Sequence, residues 1–131
     1  MATQLTVLLI MCIIPLLLAW VGGYYRKKQF GVADNKEPRI QSTLLTGTGA
    51  RTVAAQQNAW EALAVYTAAL VAVSAAAVSP DKTATVCVLL LAGRILHAVF
   101  YIIDKDILRS VAFLVGYGSC MYMFYLALSS V

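Results

Sequence analysis

Two ionisable residues stand where an apolar environment makes them expensive. Glu61 opens onto a run, residues 62–78, of Ala, Val and Leu broken only by Tyr66, Thr67 and Ser74, and Arg94 lies inside a second apolar segment, residues 83–103. Placing one charged side chain at bilayer depth costs at least about 2.5 kcal/mol, so such residues are by default candidates for function, with a partner to be named. Each has polar company at helical spacing. Arg51, Asn58 and Glu61 fall within about 80° of one another at 100° per residue, and Arg94, His97 and Tyr101 share a still narrower face.

Depth matches them further. Counting inward from Arg51 and from Asp104 at about 1.5 Å per residue, Glu61 and Arg94 each lie roughly 15 Å deep, and Asn58 and His97 roughly 10 Å. This predicts a buried Glu61–Arg94 ion pair, with Asn58 and His97 one turn nearer the loop. The spacing alone fits a clamp between helices as well as a ligand site. Arg109 and Ser110, near the start of the last helix, favour the ligand site. A cation there opposes the positive end of the macrodipole, whereas an anion is welcomed, so Arg51, Arg94 and Arg109 together suit an acidic occupant.

These residues need helices to hold them. Of 131 residues 61% are hydrophobic and 12% charged, and the mean hydropathy is +0.79, which excludes an ordinary soluble domain and indicates one small integral membrane domain. The net charge of +4 sits beside apolar segments rather than on a soluble surface, and reports orientation rather than nucleic-acid binding. Spans are expected at about 3–25, 52–78, 83–103 and 107–130, making an all-α, four-transmembrane-helix bundle. The first has no basic leader and reads as a retained helix, with Pro15 as a kink and Trp20, Tyr24 and Tyr25 as an interfacial belt. Residues 26–51 form the one long loop, whose excess of Arg and Lys places it in the cytoplasm and both termini opposite. Ser79-Pro80-Asp81-Lys82 is a tight turn supplying an N-cap. Cys12, Cys87 and Cys120 stand singly in apolar runs and read as buried small hydrophobes.

With those motifs in order, the chain resembles the MAPEG family, the membrane-associated proteins in eicosanoid and glutathione metabolism. The resemblance covers nearly the whole chain: four helices, a basic first loop, Asn58-x-x-Glu61, Arg94-x-x-His97-x-x-x-Tyr101 and Arg109-Ser110. It implies a homotrimer in a membrane lipid environment, resembling a bacterial-type microsomal glutathione transferase, with glutathione held between neighbouring subunits. Arg51, Asn58, Glu61, Arg94, His97, Tyr101 and Arg109 are the implied glutathione contacts, and Arg109 or Ser110 the implied catalytic groups near its sulfur. No metal is implied. The partner substrate would be a lipophilic electrophile or peroxide entering from the lipid. Ala54 stands where the family's transferases usually carry an arginine, and Phe113 where some relatives have tyrosine.

Two other readings stay open. One is a non-catalytic protein of this fold that binds another acidic or lipid ligand. The other is a small transporter, which requires an essential carboxylate in an aqueous cavity without a permanent arginine partner; the matched depths of Glu61 and Arg94 argue against it. Short loops and the lack of a transit peptide suggest a bacterial cytoplasmic membrane.

Overall fold

The computed structural model describes all residues, 1–131, and is helical throughout, with no strand. Its elements are α1 (Ala2–Phe30), α2 (Pro38–Thr43), α3 (Gly47–Ala75), α4 (Pro80–Ile102) and α5 (Asp106–Leu128). All but α2 are long and apolar enough to cross a membrane, giving the four expected spans. Even in number, they return both termini to one end of the bundle; the other end carries the long loop and the α4–α5 turn. These are called below the terminal end and the loop end.

The boundaries differ from expectation where local chemistry overrides hydropathy. α1 continues past Tyr25 through Arg26, Lys27 and Lys28. Basic straight-chain residues are good helix formers, and Lys27 and Lys28 lie in the last turn, opposite the negative end of the macrodipole. The helix runs through Pro15 without interruption and stops at Gly31, whose φ of 81° closes it with an N–H bond to Lys27 O. The loop contains α2, opened by Pro38 at a position that needs no N–H donor.

α3 begins at Gly47 rather than Thr52, since Gly49 is a contact point and not a breaker. A Cβ there would lie 3.0 Å from Leu45 Cδ2 and 3.1 Å from Tyr25 Cβ. At its other end α3 stops at Ala75, and Val78 N–H closes back on Val73 O at 2.9 Å. Ser79 occupies the N-cap position of α4, but its side chain makes no capping bond.

The core divides along the bundle axis. At the terminal end, Val7, Met11, Tyr66, Leu70, Leu90 and Met123 pack with Cys87 and Cys120. Towards the loop end the cluster is small, built on Leu18, Ala55, Ala59 and Ala98. Cys12, expected inside, faces outward. The exterior is strongly apolar: Trp20 is 74% exposed and Leu114 65%, as suits helices surrounded by lipid or by other subunits.

Candidate functional site

The loop-end half of α3, α4 and α5 carries the polar residues picked out by spacing. Arg94 is buried on α4, only 5% exposed, and its side chain crosses to α3, where Nη2 donates to both Oδ1 and the main-chain O of Asn58. Asn58 in turn donates from Nδ2 to Glu61 Oε2 at 3.2 Å. The expected direct Glu61–Arg94 ion pair is therefore replaced by a relay, Arg94 to Asn58 to Glu61; the one ion pair in the protein is Arg51 with Asp104. The reason is reach. Asn58 lies one helical turn before Glu61 on the same face of α3, so its amide meets the guanidinium first, while Glu61 stays exposed on the flank of the bundle.

Beside this relay, α3, α4 and α5 enclose a cleft of about 140 Å³. Arg94, Asn58 and Glu61 form its polar wall, while Val65, Leu90, Phe113, Gly116, Tyr117 and Cys120 are among the rest of its lining. A second, wider cleft of about 370 Å³ lies nearer the loop end between α4 and α5, lined by His97, Tyr101, Arg109, Ser110, Phe113 and Leu114. Phe113 belongs to both, so the two clefts adjoin.

Several polar groups here lack partners within the chain. Arg94 Nε and His97 Nδ1 are buried and make no hydrogen bond. An unpaired buried polar group costs about 1–3 kcal/mol, more if charged, so such groups call for an occupant. Glu61, at bilayer depth, has one amide donor for two carboxylate oxygens. A cation for Glu61 and an acceptor for Arg94 Nε are the complements that the geometry leaves unfilled within the chain.

The remaining residues divide. His97 meets Tyr101 edge-on at 5.5 Å, and the Arg109 guanidinium lies over the Tyr101 ring at 4.4 Å, so α4 and α5 together hold Arg109 beside the wider cleft. Ser110 lines the same cleft, but its hydroxyl donates to Asp106 O at 3.0 Å and leaves it only an acceptor to present. The start of α5 is also less needy of an anion than expected, because Asp106 Oδ1 already accepts from Ile107 N–H at 2.8 Å. Arg51 is not brought to either cleft. It pairs with Asp104 at 3.4 Å, donates from Nε to Ile102 O and from Nη2 to Thr48, and so fastens α3 to the α4–α5 turn.

Beyond Arg109 and Phe113, sequence spacing does not single out the rest of the α5 wall, Gly116, Tyr117 and Cys120. Arg109, Phe113, Gly116, Tyr117 and Cys120 recur at three- and four-residue intervals, a single helical face that periodicity exposes once Arg109 is taken as its first member.

A family model, that of the MAPEG family, matches residues 3–129, nearly the whole chain. No curated protein and no solved structure matches it.

Proposed function

The chain belongs to the MAPEG family, and from that premise we propose that it is a glutathione-dependent membrane transferase or peroxidase acting on lipophilic electrophiles. The observation that carries this reading is the pair of unmet demands on one cleft: Arg94 Nε, buried without an acceptor, and Glu61, half-served by Asn58. Glutathione fits both, with carboxylates for the guanidinium and an ammonium for Glu61. Its bound form supplies a thiol that is nucleophilic once ionised.

The residues then take distinct tasks. Asn58 fixes Arg94 and Glu61 in register and keeps cation and anion apart, so that each is free to meet a group of opposite sign. His97 and Tyr101 hold Arg109 at the wider cleft, where its positive charge favours the ionised form of an adjoining thiol. Ser110 serves as an acceptor and not as a donor, which makes Arg109 the catalytic group of the two. The apolar walls of the first cleft, from Val65 to Tyr117, offer an apolar substrate a route from lipid.

The same reading covers assembly and placement. Glu61 is exposed on one protomer at a depth where lipid would otherwise surround it, which supports a homotrimer in which a neighbouring subunit covers the cleft. Residues 1–131 act as one domain, with the basic loop in the cytoplasm and both termini outside; a bacterial inner membrane suits this arrangement.

The test is turnover by the purified protein in nanodiscs with glutathione and a chloronitrobenzene or a lipid hydroperoxide. Product formation lost in Arg109→Ala supports the proposal. Glutathione binding without turnover of any electrophile leaves the other reading of this fold, a non-catalytic binder of an acidic ligand.

A further inference from the structure

The side chain of Arg94 does not pass through open space on its way from α4 to α3. A Cβ placed on Gly116 of α5 would lie 2.7 Å from Arg94 Cδ and 3.5 Å from Arg94 Cγ. The methylenes of Arg94 thus run directly over the bare Cα of Gly116, in a track that exists only because that residue lacks a side chain. Cδ is not a free end that could swing aside. The arginine is anchored at its own Cα on α4, and its far end is held by the two acceptors of Asn58. Phe113, one turn earlier on α5, completes the track, with its ring 5.8 Å from the guanidinium carbon.

The neighbouring glycine behaves differently. A Cβ on Gly93 would meet main-chain atoms of α5, Gly116 N at 2.9 Å and Ala112 O at 3.0 Å. Gly93 sets how closely α4 and α5 approach. Gly116 receives that approach and in addition leaves room for the arginine. Its backbone is helical, so nothing in its dihedral angles requires glycine.

We propose that Gly116 is a positioning residue for the binding site: its missing side chain is the track along which Arg94 crosses α5 to reach Asn58. In its bearing on glutathione this rests on the reading given above. In its bearing on Arg94 it does not, and the two are separable by experiment.

The experiment is a double-variant cycle on the full-length protein in detergent, reading the thermal midpoint of the assembled form and, in parallel, glutathione affinity. Gly116→Ala lowers the midpoint by several degrees in the wild-type background. In the Arg94→Ala background the same substitution has no cost or raises the midpoint, because the methyl then meets no methylene and alanine is the better helix former. Gly93→Ala is destabilising in both backgrounds, and Gly118→Ala, which has no atom within 4 Å of its would-be Cβ, in neither. Glutathione affinity of Gly116→Ala falls roughly 10- to 100-fold, the loss of one hydrogen bond to a charged group.

An equal fall of the midpoint in both backgrounds would overturn the proposal, since Gly116 would then serve helix packing alone. If Gly116→Ala fails to assemble, recovery of assembly in the Gly116→Ala, Arg94→Ala double variant upholds it, and failure of both overturns it. Should wild-type protein bind no glutathione, the functional reading falls while the stability cycle still decides the role of Gly116.

Discussion

The two ends of the bundle each carry a polar network, and they are resolved in opposite ways. At the terminal end Gln4, only 2% exposed, donates from Nε2 to Pro80 O at 2.7 Å and to Thr83 at 2.8 Å. Tyr66, fully buried, donates to Gln4 O at 2.9 Å and lies 3.5 Å from Cys87 Sγ. This network ties α1, α3 and α4 together, and its one unpartnered atom, Gln4 Oε1, stands beside a void of about 10 Å³, room for no more than a water. At the loop end Arg94, His97 and Glu61 are only partly satisfied and front clefts of about 140 and 370 Å³. Polar groups that close on one another hold a bundle together; polar groups left open towards a cavity are arranged for something that arrives.

The comparison breaks most visibly at Arg94. Arg94→Leu abolishes detectable glutathione binding by equilibrium dialysis, while Tyr66→Phe at the other end leaves affinity unchanged; a matching loss in both would erase the distinction between the ends. Next in size is Asn58→Leu, which strands the Arg94 guanidinium with the Asn58 main-chain oxygen alone. It lowers unfolding stability by about 1.5–3 kcal/mol in detergent, and adding Arg94→Leu recovers part of that loss, because a buried cation without partners costs more than none at all. Tyr66→Phe itself costs about 1 kcal/mol, seen as a lower thermal midpoint without a change in binding. Smallest in stability is Glu61→Gln, whose carboxylate is exposed on the protomer. Thermal denaturation detects little change, yet glutathione affinity drops about tenfold if the carboxylate meets the ammonium.

Much of this is legible in the sequence. The four spans follow from apolar runs of sufficient length, and the meeting of Asn58, Glu61 and Arg94 follows from helical phase and depth. The exact pairing does not follow, because a difference of one turn decides whether Arg94 reaches Asn58 or Glu61, and side-chain reach is invisible in residue counting. Helical phase and charge both place Arg51 with the ligand, but Asp104, in a left-handed turn with φ 63°, takes it first. The tracks for Arg94 and the Gln4 network escaped for a common reason: each joins positions far apart in the chain whose residue types, glycine and glutamine, carry no distinctive spacing. Only the chain's path in space brings them together.

The central claim is that the open polar network is completed by glutathione and that Arg109 favours its ionised thiol. The most direct measurement is an ultraviolet difference spectrum of the purified, detergent-solubilised protein on adding glutathione near neutral pH. The account predicts saturable binding with a thiolate absorbance that disappears in Arg109→Ala while that variant keeps its fold. Absence of binding, or a thiolate signal unchanged in Arg109→Ala, would contradict it.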